Sequence, residues 1–246
     1  MDIGIYQSAS SLSALERWQD AVAQNITSGQ VTGYRKRTVE FSTQQAGQWQ
    51  LDPKNGDTSV PAVFPKATNG VSFSPGEAQH TGRDLDVSIQ GPGFFEVQLP
   101  DGTKGFTRSG EFTTRNDHTL INSANQEVLN DGGSPIVLQP DGGKLTINPD
   151  GTIVQGTAQV GRIGVLKFAD TSSLVPLSGG LFVDTSGASP EPVAKPQLQQ
   201  GFLESSNVAP MREMVNLVLI SRAYEANQKV IANSDQQGQK TLDALT

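Results

Sequence analysis

A long helix-forming stretch at the carboxyl end constrains the fold of this chain most. It runs from about Asn207 to Leu245, and its one proline, Pro210, stands where the first turn of a helix tolerates proline. Alternating steps of three and four residues from Met214 define a seam: Leu217, Ser221, Tyr224, Gln228, Ile231, Asp235, Gly238, Leu242 and Leu245. This spacing keeps one side of a helix against a partner helix, so residues 201–246 are predicted to form a coiled-coil helix with polar interruptions.

The amino end of the chain carries a second amphipathic stretch. Steps of four and three residues from Met1 reach Ile5, Ser8, Leu12, Leu15, Gln19, Val22 and Ile26. Gly29 is a suitable C-cap, so the helix is predicted over residues 1–28. Helices with so narrow an apolar face are marginal alone in water. Two interpretations stay open: the terminal helices dock on one globular core, or they pair with each other and then with copies of themselves.

Between the helices the pattern predicts two further regions. Residues 29–75 are rich in Gln, Pro, Asn, Gly and Ser, and we interpret them as an extended connector with little regular structure. Residues 76–200 show short alternating runs, among them Ile136–Leu138, separated by turns such as Pro100-Asp101-Gly102 and Pro149-Asp150-Gly151. Such turns are typical of antiparallel hairpins. The predicted fold class is therefore α+β, mainly β, with an antiparallel central domain and terminal helices that pair as a coiled coil.

Composition narrows the function classes. The chain has 246 residues, a net charge of −7 and no cysteine. An acidic chain argues against nucleic-acid binding, and the missing thiols exclude disulfides and thiolate catalysis. No apolar run has the length of a membrane span, and the start lacks the charged and apolar regions of a secretory signal. We therefore expect that the chain does not insert into a membrane. If it is exported, we expect export without a cleaved leader.

Candidate chemical sites are weak. The Asp-Gly turns lack the alternating ligands and distant Glu of an EF-hand, and Gly91-Pro92-Gly93 precedes a strand rather than a helix. We interpret Asp84 and Asp86 as a solvated strand start, and the basic run Arg35-Lys36-Arg37 as a solvated loop edge. We predict no catalytic residue, no metal and no cofactor. Four phenylalanines are assigned to the core of the β-domain: Phe94, Phe95, Phe106 and Phe112.

Several motifs together resemble those of bacterial flagellar basal-body rod and hook proteins. At the carboxyl end these are Gln200–Val208, Glu213–Asn216 and Ser221–Asn227, and at the amino end Ala23-Gln24-Asn25-Ile26 and Thr32–Lys36. The central motifs resemble the distal-rod members: Thr81–Asp86, Gly91–Phe95 and Phe106–Phe112. One departure is Asn25-Ile26-Thr27-Ser28, where the family usually continues Asn-(Leu/Ile)-Ala-Asn. The chain also lacks the large extra domain of hook proteins, which favours a rod component.

The resemblance implies a function. Members leave the cell through the flagellar type III export apparatus and lie in the periplasm-spanning rod of the basal body. Their terminal segments fold when subunits stack into a helical tube that transmits torque to the hook, so the expected partners are further copies and other rod and hook proteins. The residues expected to make subunit contacts are Ile5, Leu12, Leu15, Val22 and Ile26 on the first helix, and Met214, Leu217, Val218, Arg222, Tyr224 and Ile231 on the last.

Two alternatives remain. Within the family, the chain is a proximal-rod or hook-type subunit rather than a distal-rod one. From another class, it is a secreted β-rich carbohydrate-binding or hydrolytic protein, which requires aromatic residues and paired carboxylates to converge on one cleft.

Overall fold

The computed structural model describes residues 3–50, 59–140, 142–187 and 189–243, excepting the side chains of 3–5, 46, 48–50, 59–62, 238, 241 and 242. These residues form many short strands and two long helices, which confirms the predicted α+β, mainly β, class. Neither described helix combines the length and apolar character needed to cross a membrane. The chain divides into two compact units: a helical unit from the described parts of 1–27, 37–70 and 209–246, and a β-unit from those of 28–36 and 71–208.

The helical unit contains both helices and a two-stranded sheet. Helix α1 spans Ile3–Thr27 and helix α2 spans Pro210–Asp243, and the two contact each other. Strands β1 (Arg37–Gln50) and β2 (Ser59–Val71) pair with each other. Helix α2 begins at Pro210, later than the predicted range of 201–246, because Phe202–Glu204 form a strand instead. Pro210 occupies the first turn, and the carbonyl of Ala209 accepts hydrogen bonds from the N–H groups of Arg212 and Glu213.

The prediction of little regular structure over residues 29–75 is wrong for β1 and β2. Three polar side chains of α1 donate hydrogen bonds to β2: Gln7 to the carbonyl of Val63 (3.2 Å), Ser10 to Pro65 (2.8 Å) and Arg17 to Ala67 (3.1 Å). The ladder between the strands is a backbone property that needs no apolar alternation. A segment rich in Gln, Gly and Pro therefore forms strands that its side-chain pattern does not indicate.

The β-unit consists of sixteen short strands among the residues described. They are β3 (Ala78–His80), β4 (Val87–Gln90), β5 (Phe94–Gln98), β6 (Lys104–Thr107), β7 (Phe112–Thr114), β8 (Leu120–Asn122), β9 (Glu127–Val128), β10 (Leu145–Ile147), β11 (Thr152–Gln155), β12 (Ala158–Arg162), β13 (Val165–Lys167), β14 (Leu174–Pro176), β15 (Leu181–Asp184), β16 (Glu191–Pro192), β17 (Gln197–Gln200) and β18 (Phe202–Glu204).

All pairings given for these strands are antiparallel, as predicted. The main sheet has the order β14-β15-β6-β5-β9-β8-β7, with β13 joining β5 to β16. Smaller sheets are β10-β11-β12, β17-β4 and β18-β3. The predicted strand Ile136–Leu138 contributes only the isolated bridge of Val137 with Thr119.

Two predicted turns form hairpin tips. Pro100-Asp101-Gly102 joins β5 to β6, and Pro149-Asp150-Gly151 joins β10 to β11. Hydrogen bonds from the Thr103 hydroxyl and backbone N–H lower the pKa of Asp101, and those from the Thr152 N–H and hydroxyl lower the pKa of Asp150. Each aspartate therefore closes its turn as an Asx-type acceptor while ionised.

The core of the β-unit lies in two clusters. The larger is built on the central strands and includes Phe95, Phe112, Leu120, Ile153 and Ile163. The smaller is aromatic and contains Phe94, Phe106, Leu174 and Phe182, with Phe73 and Phe168 packed against it. Phe95 and Phe112 meet edge to face with ring centroids 5.1 Å apart. The core assignment of Phe94, Phe95, Phe106 and Phe112 is confirmed.

A buried ionic network crosses the β-unit. One carboxylate oxygen of Glu204 on β18 lies 2.7 Å from Nη2 of Arg35, and the other lies 2.8 Å from Nε of Arg108. All three side chains are buried. The prediction that the Arg35-Lys36-Arg37 run is a solvated loop edge is therefore wrong for Arg35. A buried guanidinium requires a carboxylate partner, and Glu204 lies too far along the chain for the sequence to reveal it.

Asp86 corrects a second expectation. It is 1% exposed rather than solvated, and it accepts Nε of Arg83 (2.7 Å) and the hydroxyl of Thr81 (2.5 Å). Asp84 is exposed. The two aspartates therefore have different environments and form no matched carboxylate pair.

Gly110 is a position where the β-unit has no room for a side chain. A Cβ there would overlap the carbonyl oxygen of Val87. The N–H of Val87 also donates a hydrogen bond to the carbonyl of Gly110, so the two backbone segments lie close together. Gly110→Ala is expected to lower the free energy of unfolding by more than about 3 kcal/mol, because backbone must move. Gly102→Ala is the matched control, because Gly102 has φ +82° but no atom near the position of a Cβ. This substitution should lower the free energy of unfolding by about 1–2 kcal/mol. Equal denaturation midpoints for the two variants would contradict the prediction.

Candidate assembly surface

The covered side of α2 follows the 3–4 spacing but not in the predicted register. Among the described side chains, its buried or half-buried positions are Glu213, Leu217, Ile220, Tyr224, Asn227, Ile231 and Ser234, with Asn216 and Ala223 beside them. The predicted seam shares Leu217, Tyr224 and Ile231 with this set. At every second position the predicted seam is shifted by one residue toward the carboxyl end. The residues it names there are all exposed: Met214, Ser221, Gln228 and Asp235.

Helix α1 is covered over a wider face than one seam. Ser8, Leu15 and Val22 on the predicted seam are buried, Leu12 and Ile26 are half-buried, and Gln19 is exposed. Ala14, Ala21 and Asn25 are buried beside them. The width arises because α1 contacts both α2 and β1, and the Trp18 ring meets Phe41 of β1 edge to face at 5.6 Å.

A buried polar contact explains the register of α2. Asn25 on α1 donates to Oε2 of Glu213 (3.4 Å) and to the carbonyl of Arg37 (2.9 Å), and its Oδ1 accepts the N–H of Arg37 (2.8 Å). Asn25 and Glu213 are each 1% exposed. Because a buried carboxylate must have hydrogen-bond donors, this pair turns Glu213 inward and Met214 outward.

Hydrophobic periodicity missed Asn25 and Glu213 because it scores polar residues as exposed. The signal that marked them was the motif resemblance, since both lie in the segments Ala23–Ile26 and Glu213–Asn216 that are similar to the flagellar family. A polar residue at a seam position is known to define helix register.

The opposite side of α2 carries an uncovered apolar surface, here called the outer stripe. It consists of Met211, Met214, Val215, Val218 and Leu219, whose exposed fractions lie between 49% and 76%. Spacings of three, four and seven residues place them on one side of the first turns of α2. Contiguous exposed apolar side chains of this kind mark protein contact sites.

The residues predicted to make subunit contacts, apart from Ile5, thus fall into three groups by burial. Leu15 and Val22 are buried inside the helical unit, and Leu12, Ile26, Leu217, Tyr224 and Ile231 are half-buried. Met214, Val218 and Arg222 are exposed. Ile5 lies in α1, but its side chain is outside the described residues. The role of all these residues in assembly stays a prediction.

A mainly β chain with an uncovered apolar stripe on a long terminal helix has the features of an interaction protein. Two segments match known families: residues 199–244 match the C-terminal family of flagellar basal body rod FlgEFG proteins, and residues 88–155 match the D1 domain of flagellar hook proteins FlgE/F/G. The first match contains α2, and the second contains β5 to β11, which supply part of the larger core cluster.

Whole-chain relatives agree. The chain is 36% identical over 247 residues to the flagellar basal-body rod protein FlgF of Caulobacter vibrioides, covering 100% of this chain and 98% of the relative. It is 32% identical to FlgF of Mesorhizobium japonicum, with 98% of each chain covered, and 29% identical to the rod protein FlgG of Borreliella burgdorferi, with 94% of each covered. The chain belongs to the flagellar basal-body rod protein family, which confirms the resemblance drawn from its motifs.

Proposed function

We propose that this chain is a structural subunit of the bacterial flagellar basal-body rod, and that its two helices associate with those of further copies in a helical tube. The observation that carries the proposal is the outer stripe of α2, which the helical unit leaves uncovered. The names of the relatives, which include FlgF and FlgG rod proteins, support the same conclusion.

The size of the outer stripe agrees with many weak contacts rather than one strong one. Fully burying one large apolar side chain contributes about 1.5–3 kcal/mol, and the stripe residues are already partly covered. Association costs about 4–15 kcal/mol in lost freedom, which one such stripe barely offsets. A lattice in which each subunit meets several neighbours adds these contacts without repeating the whole cost. We therefore propose that the contacts of the outer stripe are stable only in the assembled tube, where each subunit makes several of them.

Further parts of the proposal follow from the family. We propose coiled-coil packing of α1 and α2 in the assembled state, contacts with other rod and hook proteins, export by the flagellar type III apparatus and a location in the basal body. Along the rod, the motifs favour a distal position, whereas the relatives carry both the FlgF and FlgG names. Site-specific cross-linking from α2 in intact basal bodies would distinguish distal, proximal and hook-type positions.

The rival carbohydrate-binding or hydrolytic function receives no support from the phenylalanines and aspartates of the β-unit that the sequence singled out. Phe94, Phe95 and Phe112 are buried in the core, and Asp86 is paired with Arg83. Neither set offers the exposed aromatic face and carboxylate pair that sugar cleavage requires.

The proposal is tested by placing a charge on the outer stripe. Val218→Asp is expected to raise the concentration needed for self-assembly tenfold or more, equivalent to about 1.4 kcal/mol, and to impair swimming. The measurements are sedimentation of the purified full chain and motility of a complemented deletion strain. Helix content of the monomer should not change, because Val218 is 52% exposed.

The matched control is Val137→Asp, which alters a valine of equal exposure (53%) in the β-unit. It should assemble as the parent does. If Val218→Asp assembles at the parental concentration, the outer stripe is not a subunit contact.

A further inference from the structure

The β-unit contains a pocket whose lining residues all belong to this unit. Its volume is about 380 Å³, within the range of small-ligand sites. Its apolar lining is provided by Phe73, Pro75, Pro92, Phe94 and Phe168. Phe94 packs edge to face on both Phe73 (5.8 Å) and Phe168 (5.9 Å), so the aromatic walls support one another.

Two buried arginines, Arg35 and Arg108, are also among the residues that line the pocket. Both bind the one carboxylate of Glu204, so two positive charges meet one negative charge in the network. Lys167 lines the pocket too, but it is half exposed and paired with Glu191 at 3.1 Å. The buried lining therefore carries one positive charge in excess.

The two arginines differ in how fully they are bonded. Arg108 donates through Nη1 to the carbonyls of Gly91 (2.9 Å) and Gly93 (2.7 Å), and through Nη2 to that of Ile89 (3.1 Å). Arg35 donates through Nη1 to Ser74 (2.8 Å), but its buried Nε has no hydrogen-bond partner among the described residues. Arg35 is therefore the less fully hydrogen-bonded of the two arginines.

We infer that this pocket binds a small organic carboxylate with an aromatic or branched apolar body. The excess positive charge selects an anion, and a carboxylate is the planar acceptor that a guanidinium binds best. The apolar walls select a ligand with an apolar body over a compact hydrated anion such as sulfate. This binding site lies within the β-unit and does not depend on the proposed rod function.

The test uses the full chain and 3-phenylpropionate, titrated by calorimetry and by NMR chemical-shift changes. Saturable one-to-one binding is expected, and the uncharged 3-phenylpropionamide should bind at least tenfold more weakly. Acetate, which keeps the charge but lacks the ring, should also bind at least tenfold more weakly. These comparisons need no variant of the protein.

A variant that fills the pocket tests whether the ligand binds there. Thr171 lines the pocket, and Thr171→Trp is expected to abolish binding. Thr113→Trp, on the exposed side of β7, should bind as the parent does. Equal affinity for acid and amide, no saturable binding at millimolar acid, or parental affinity in a folded Thr171→Trp chain would each overturn the inference.

Discussion

Replacing Glu204 with glutamine is expected to lower the free energy of unfolding of the β-unit by about 3–5 kcal/mol. The substitution preserves shape but removes the carboxylate shared by Arg35 and Arg108. Burial lowers the pKa of Arg108, because a guanidinium group removed from water loses solvation of its charge. Arginine does not escape the penalty by losing its proton in the accessible pH range, so two buried cations would remain without a counter-charge.

The loss is measured by urea unfolding followed by far-ultraviolet circular dichroism. Glu127→Gln is the matched control, because Glu127 pairs with Arg115 at 2.9 Å but both side chains are about one-third exposed. Solvent screening should hold its cost below about 1 kcal/mol. If Glu204→Gln is no more destabilising than this control, the network is not an important source of stability.

Leu15→Asp is expected to abolish assembly altogether while the β-unit stays folded. Leu15 is 8% exposed within the helical unit. The substitution forfeits about 1.5–3 kcal/mol of apolar burial and adds the larger cost of placing a carboxylate in an apolar contact. The cores of the β-unit are built from its own strands, so their stability should not change.

Hydrogen exchange, sedimentation and motility together test this expectation. Amides of α1 should lose protection, those of β5 and β6 should keep it, and cells that carry the variant should build no rods. Ser13→Asp, which places the same charge on an exposed position of α1, should swim normally. Normal rods and swimming with Leu15→Asp would refute the role assigned to the helix.

The elements of this protein were largely predictable because they depend on local chemistry. The 3–4 spacing and Pro210 predicted α2, and the Asp-Gly turns predicted the β5–β6 and β10–β11 hairpins. Strands β1 and β2 were missed, because their ladder is made by backbone groups and leaves no apolar alternation to detect.

The candidate assembly surface was predicted only in part. Periodicity identified Leu15, Val22 and Leu217 as covered, but it placed Met214 inward where Glu213 lies instead. No local rule indicates that Glu213 is buried, since its partner Asn25 is 188 residues away along the chain. Because Glu213 faces inward, Met214 faces outward and becomes part of the outer stripe.

The sequence by itself determined which segments become helices and which become hairpins, because turn residues and side-chain periods act over a few neighbouring residues. Only the tertiary structure decided which polar groups are buried: Arg35, Arg108 and Glu204 in the β-unit, and Asn25 with Glu213 in the helical unit. The physical reason is that a buried charge or amide is tolerated only with a partner, and these partners come together only when distant parts of the chain fold.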